Sequence, residues 1–217
     1  MADVKRRTRP PSDWKTRRRL LKPLLIVISA PSGAGKTTLC DRLLQDYPEI
    51  TYSISCTTRD PRGAEEDGED YYFLNEDDFS RRVAAGAFLE HATVHGFRYG
   101  TLKEPVYEAF AEGQCVLMDI DVAGAAQVRT HVTSLPLTDP MRAGFVDIFI
   151  RPPSLEALRE RLEGRGEDSE ATIARRLHNA VEELSHAGEF RFQVVNDNVE
   201  MAYRDLCGII ESCSGIR

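Results

Sequence analysis

A short apolar run, Leu24-Leu25-Ile26-Val27-Ile28-Ser29, leads into Ala30-Pro31-Ser32-Gly33-Ala34-Gly35-Lys36-Thr37 and then into Thr38-Leu39-Cys40-Asp41-Arg42-Leu43-Leu44. A run this short, apolar and β-branched has the pattern of a parallel strand buried on both faces. Leu39, Leu43 and Leu44 recur at helical spacing and predict an amphipathic helix. The loop between them has small residues and two glycines, so its backbone N–H groups can turn inward around an anion. The helix N-terminus adds partial positive charge there. The phosphate-loop pattern, Gly, four residues, then Gly-Lys-Ser/Thr, is met everywhere except at its first position, which is Ala30. In such a loop Lys36 reaches the β- and γ-phosphates of a nucleotide and the Thr37 hydroxyl ligates Mg²⁺. A glycine turn without a ligand is the other reading, but it does not call for strand, loop and helix in this order.

The 217 residues suffice for one domain with insertions and a substantial core. The net charge of -7 hides a split. Residues 1–23 hold nine Lys/Arg against two Asp, so the rest carries -14. An acidic body argues against a stable nucleic-acid partner. Five scattered cysteines with no Cys/His ligand spacing read as free thiols in a reducing compartment. No apolar run approaches the roughly 20 residues of a membrane span, and the N-terminus lacks a signal-peptide core. Together these lead to the expectation of a cytoplasmic protein with no membrane partner. Residues 1–22 read as a basic solvated tail, with contact to RNA or an anionic membrane as the other reading.

Past the first helix, Ile50 to Ser55 alternates like a strand. It leads into Thr57-Thr58-Arg59-Asp60-Pro61-Arg62, an acidic loop, and Tyr71-Tyr72-Phe73-Leu74. Two arginines separated by two residues on a loop either converge on one phosphate, with tyrosine hydroxyls closing the site, or form a surface turn. A helix is predicted over Asn75 to Glu90, with Asn75 as N-cap and Phe79, Val83 and Phe88 on its apolar side. Phe88 to Val94 also alternates, which makes Glu90 either a solvated strand residue or a base reader. His91 and His95 have no metal-like partner set. A helix over Glu104 to Gly113 precedes Cys115-Val116-Leu117-Met118-Asp119-Ile120-Asp121, an apolar strand ending in carboxylates. Such a strand-end carboxylate either helps hold Mg²⁺ or caps the next turn. Val122 to His131 predicts a helix, Thr133 to Ala143 a surface loop, and Phe145 to Ile150 a strand stopped by Pro152-Pro153. A helix capped by Ser154 leads into the glycine-containing charged stretch Arg161 to Glu170, expected to be mobile. A helix over Ser169 to Ala187 carries Arg175 and Arg176. Arginines flanking such a stretch suit either a lid closing on phosphates or a solvated charged helix pair. A strand from Phe192 to Asn196 and a helix from Val199 to Ser212 finish the chain.

These motifs resemble the guanylate kinase family over about residues 24–212. The most specific stretch is Thr57-Thr58-Arg59-x-x-Arg62-x-x-Glu65-x-x-Gly68-x-x-Tyr71-x-Phe73, which matches that family's signature at each fixed position. Phe88-Leu89-Glu90, Tyr99-Gly100-Thr101, Asp119-Ile120-Asp121, Arg161 to Gly166 and Val195-Asn196-Asp197 follow in family order. Departures are few. Gly63-Ala64 stands where the family commonly has Gly second, and Val122-Ala123-Gly124 where it usually shows an aromatic or Val, then Gln-Gly.

The resemblance implies an α/β fold: a P-loop three-layer parallel sheet core, a small mixed α/β GMP-binding insertion and a helical lid. The core comprises 23–55, 106–157 and 189–217, the insertion 56–105 and the lid 158–188. It implies transfer of the γ-phosphoryl group of ATP to GMP and dGMP, giving GDP and ADP, in purine nucleotide metabolism. Mg²⁺ accompanies ATP, and the protein is a monomer or homodimer. By similarity, ATP is held by residues 30–38 (Ala30, Pro31, Ser32, Gly33, Ala34, Gly35, Lys36, Thr37, Thr38) with Asn196 and Asp197 near adenine. Arg59, Arg62, Tyr71 and Tyr99 hold the GMP phosphate, while Ser55, Glu90, Thr101 and Asp121 surround guanine. Lys36, Arg59 and the lid arginines Arg161, Arg165 and Arg176 stabilise the transferred group. Thr37, and Asp119 through water, attend the metal. Guanine presents N1–H and an amine, which suit a carboxylate acceptor, and O6, which suits hydroxyl donors; adenine reverses this and leaves a buried carboxylate unpaired. The resemblance extends to non-catalytic peptide-binding modules, but these usually lack a competent phosphate loop. A GTPase would show Asn-Lys-x-Asp, which this chain lacks.

Overall fold

The computed structural model describes residues 22–94, 96–164 and 168–215. Nearly all of the basic tail, His95 and Arg165 lie outside the described residues. The chain runs β1 (Leu25–Ser29), α1 (Lys36–Asp46), β2 (Ile50–Tyr52), β3 (Cys56–Thr57), β4 (Tyr72–Phe73), α2 (Glu76–Ala84), β5 (Phe88–Val94) and β6 (Phe97–Leu102). It continues through α3 (Lys103–Ala111), β7 (Cys115–Asp119), α4 (Val122–Ser134), α5 (Pro140–Ala143), β8 (Phe145–Arg151), α6 (Leu155–Gly164), α7 (Glu170–Ser185), β9 (Phe192–Val195) and α8 (Val199–Ser214).

Five strands make a parallel sheet in the order β2-β7-β1-β8-β9, with β1 at its centre. The unbroken apolar run of β1 explains that place. Ile26 and Ile28 face Leu39 and Leu43 of α1 and Leu206 and Ile210 of α8. Leu25 and Val27 face Val106 and Phe110 of α3 and Val128 and Val132 of α4. Only a strand covered on both sides can bury every residue, and each such side chain contributes about 1.5–3 kcal/mol. The result is three layers with the carboxyl ends of β1, β7 and β8 opening on one crevice, where the strand order reverses. A second, mixed sheet has the order β4-β3-β6-β5 and packs on α2 through Cys56, Phe79 and Phe88. A third small core joins α6 to α7 through Leu158, Leu162, Ile173 and Ala180. Among the described residues, no helix is long and apolar enough to cross a membrane.

Several element boundaries differ from expectation. The helix foreseen over Asn75 to Glu90 ends at Ala84, although Asn75 does cap it, accepting from the Asp78 N–H. Gly86 takes a left-handed φ of 64°, which stops the helix and turns the chain so that Phe88 enters β5. There Phe88 still stacks on Phe79, with ring centroids 4.6 Å apart. The spacing thus identified the right partners in the wrong element. The run Ile50 to Ser55 is strand only as far as Tyr52, because the chain then leaves the first sheet to begin the second. The expected loop Thr133 to Ala143 holds the last turn of α4 and the short α5, capped by Asp139 with Pro140 at its first position, burying Met141.

Asp147, in the middle of β8, is the most deeply placed carboxylate of the core at 3% exposure. It accepts from Arg129 Nε at 2.9 Å and from the Arg191 N–H at 3.0 Å. Arg129 Nη2 lies 2.8 Å from the same carboxylate, an ionic contact whose geometry does not qualify as a hydrogen bond. Removing Asp147 would leave the Arg191 N–H without this acceptor and the partly exposed Arg129 with only its longer contact to Glu189 at 3.5 Å. We expect Asp147→Ala to cost about 3 kcal/mol, which thermal denaturation would record as a Tm lowered by about 6–12 °C. A change under about 2 °C contradicts the pairing.

Candidate active site

The loop after β1 is held open by its backbone. Gly33 and Gly35 take φ of 93° and 90°, values that other residues adopt only with strain. Gly35 caps α1 with no side-chain hydrogen bond, so no capping side chain occupies the first N–H groups of the helix. A Cβ on Gly35 would lie 2.3 Å from Asn196 Nδ2, which donates to the Ala34 carbonyl at 2.8 Å. Asn196 is buried and braces the loop from the end of β9. On the other side of the loop, a Cβ on Gly33 would meet Leu158 and Leu162 of α6 at 3.0 Å.

Lys36 begins α1 and forms an ion pair with Asp119, the last residue of β7, and its Nζ lies 3.5 Å from the Ile120 carbonyl. The register Ile28↔Asp119 brings the two together across strands ninety-one residues apart in the chain. Thr37 and Thr38 are exposed on the first turn of the helix. Two arginines arrive from the helix pair. Arg161 Nη2 donates to the Asn196 carbonyl at 2.7 Å and lies 3.3 Å from that of Asp197, and Arg176 donates to Ser32 Oγ at 3.3 Å while pairing with Asp168 at 3.3 Å.

The second cluster sits on the mixed sheet. Arg59 is buried and forms a two-pronged pair with Glu65, at 2.9 and 3.0 Å. Glu65 also accepts from the Arg62 N–H at 2.7 Å, so one carboxylate arranges both arginines. Those hydrogen bonds raise the Arg59 guanidinium above its ordinary value and hold the Glu65 carboxyl below its own. The Arg62 side chain itself is exposed. The Tyr71 ring lies 5.4 Å from the Arg59 guanidinium and edge-on to Tyr99 at 6.2 Å. Burial pushes the Tyr71 phenol up.

Glu90 and Thr101 face each other across β5 and β6, both buried, and the Thr101 hydroxyl donates to Glu90 Oε1 at 2.7 Å. Burial raises the Glu90 carboxyl above its ordinary range, and the hydrogen bond from Thr101 only partly opposes this. Asp121 caps α4, accepting from the Gly124 N–H at 2.7 Å. Glu90 Oε2 and Asp121 Oδ1 crowd the same glycine, 3.2 and 3.3 Å from where its Cβ would be. The Asp121 carbonyl in turn lies 3.2 Å from Ser29 Oγ at the end of β1, so the two clusters abut at the start of α4. Ser55 is half-buried between the sheets. Of the two strand-end carboxylates, then, Asp119 meets the lysine and Asp121 is a helix cap that also faces Glu90. Residues not singled out from sequence are Asp168 and Glu183, the latter half-buried on α7 with its carboxyl raised by burial. Glu65 stood in the signature, six residues from Arg59, but its pairing needed the fold.

A glycine loop after a central parallel strand, a separate arginine–tyrosine cluster beside a buried carboxylate, and an arginine-bearing helix pair match the class of P-loop nucleoside monophosphate kinases. A family model described as guanylate kinase matches residues 22–213. The guanylate kinase of Nitrosococcus oceani is 46% identical over 188 residues, covering 87% of this chain and 88% of that protein. That of Synechocystis is 45% identical over 190 residues, covering 88% and 94%. The crystal structure of guanylate kinase from Anaplasma phagocytophilum superposes with a TM-score of 0.64 at 29% identity, covering 88% of this chain and 86% of that one. The chain belongs to the guanylate kinase family, whose activity is phosphoryl transfer to GMP.

Proposed function

We propose that the two clusters are the two nucleotide sites of a single in-line transfer from ATP to GMP. The loop from Ala30 to Thr38, with Asn196 and Asp197, holds ATP. Arg59, Arg62, Tyr71 and Tyr99 hold the GMP phosphate, and Ser55, Glu90, Thr101 and Asp121 surround guanine. The lid comprises residues 158–188, which hold most of α6 and all of α7, and the GMP-binding unit comprises residues 56–105. The observation that carries this reading is the buried Glu90–Thr101 pair set against Asp121, at the point where the second cluster meets the phosphate loop.

The nucleophile is a phosphate oxygen, already anionic near neutral pH, so no general base is needed. The difficulty is bringing two polyanions into contact. Lys36, Arg59, Arg161 and Arg176 offset that repulsion and stabilise charge on the group in transit. Each of them is oriented by an acceptor of the protein itself: Lys36 by Asp119, Arg59 by Glu65, Arg161 by the Asn196 carbonyl and Arg176 by Asp168. The exposed Thr37 hydroxyl and the Asp119 carboxylate are hard oxygen donors beside the loop and fit Mg²⁺. When bound with ATP, that ion supplies further charge neutralisation on the phosphates.

An ADP-release assay with ATP and a panel of GMP, dGMP, AMP, UMP and CMP tests the reading: turnover is expected with the guanine nucleotides only. Equal turnover with AMP overturns it. Acidification adds a second expectation. Glu90 must be ionised to accept the guanine N1–H, and burial raises its carboxyl, so KM for GMP should rise at a pH above the ordinary carboxylate range of about 4.3. Glu90→Gln should lose this component and retain only the titration of the GMP phosphate near pH 6. Without nucleotide the linkage has the opposite sense. The unfolded chain releases that proton first, so this group's contribution to stability falls as pH rises through its folded pKa.

A further inference from the structure

We propose that Gln127 is a positioning residue for base selection, acting by fixing the strand that carries Glu90. This rests on the assignment of Glu90 as the guanine acceptor. β5 is an edge strand, so one side of its backbone has no neighbouring strand. At His91 that side is occupied by a side chain from the core. The His91 N–H donates to Gln127 Oε1 at 3.1 Å, and Gln127 Nε2 donates to the His91 carbonyl at 3.0 Å. A primary amide has one acceptor and one donor side, so it pairs with the peptide edge as another strand would.

Two features make this pairing matter for the neighbouring residue. First, β5 has a register irregularity between Phe88 and Glu90, immediately before the carboxylate. Where the pairing shifts, alternation along the strand no longer decides which way a side chain points, and a contact from outside the sheet must do so. Second, Gly124 lies three residues before Gln127, on the same face of α4. The helix therefore meets β5 at two adjacent points: Gly124 leaves room for Glu90 Oε2, and Gln127 grips the next peptide. Loss of the grip would let β5 move away from α4 and carry the carboxylate out of line with the guanine edge.

The test compares GMP with inosine monophosphate, which keeps N1–H and O6 but lacks the 2-amine. A well-placed carboxylate accepts from both donors of guanine and from only one of hypoxanthine. Gln127→Met keeps length and bulk on a helix and removes both hydrogen bonds. We expect it to lower the GMP-over-IMP ratio of kcat/KM about tenfold, with KM for ATP changed less than about threefold. Hydrogen exchange at the His91 amide should accelerate in the same variant. Glu90→Ala should lower the ratio by at least as much, and the double variant no further, because one residue acts through the other. A wild-type ratio in Gln127→Met alongside a lowered one in Glu90→Ala overturns the positioning role and leaves the guanine assignment intact. An unchanged ratio in Glu90→Ala overturns the assignment and the inference together.

Discussion

Replacing Lys36 by Met should lower kcat by about a thousandfold while the protein remains folded. Lys36 is a point charge at the first residue of α1, directly after Gly35 of the proposed phosphate loop. Two unit charges 4 Å apart in an effective dielectric of about 20 interact by about 4 kcal/mol, which corresponds to roughly three orders of magnitude in rate. Charge on the transferred group is redistributed in the transition state, so the loss should fall on kcat more than on KM. Arg in place of Lys should not restore the rate, since a planar fork cannot replace a compact ammonium at this spacing. Without the lysine, Asp119 loses its ion-pair partner, so a modest fall in Tm is expected alongside. Steady-state kinetics at saturating ATP and GMP would check this; a kcat within about tenfold of the wild type would mean the loop is not where transfer occurs.

The second large effect is expected at Arg59, and on the other substrate. Arg59→Ala should lower kcat/KM for GMP by about a hundredfold to a thousandfold and leave KM for ATP within about threefold. The guanidinium is buried, with one edge held by Glu65 and an aromatic ring beside it. With Glu65 and the Asp60 carbonyl fixing it, the side chain would lose little further freedom on meeting the proposed acceptor phosphate. Arg59→Lys keeps the charge but cannot keep both prongs to Glu65, and an intermediate loss is expected. Titrating each variant separately with ATP and with GMP distinguishes this from general damage. Equal weakening of both nucleotides would argue that Arg59 supports the fold and not the acceptor phosphate.

Sequence was most informative where one local rule acted alone. The run Leu24 to Ile28 is apolar at every position, so it had to be covered on both faces, and the glycines after it had to be a loop before an amphipathic helix. The caps Asn75 and Ser154 were legible for the same reason, because capping is a matter of a few adjacent residues. Reading became uncertain where two periodicities overlapped. Phe79, Val83 and Phe88 fit a helix, and Phe88 to Val94 fits a strand. Only the left-handed Gly86 and the pairing with β6 decide between them.

Residue types and spacings in the chain by themselves indicated the parallel-sheet core, the glycine loop before α1 and the side chains proposed for the two nucleotides. These depend on backbone preferences and on the chemistry each side chain carries wherever it is placed. Only the tertiary structure decided which groups face one another: Lys36 with Asp119, Arg59 with Glu65, Arg129 with Asp147, Gln127 with the His91 peptide. Most of those partners lie far apart in the chain and are brought together by strand register and helix docking, and neither is encoded in any window short enough to be read locally.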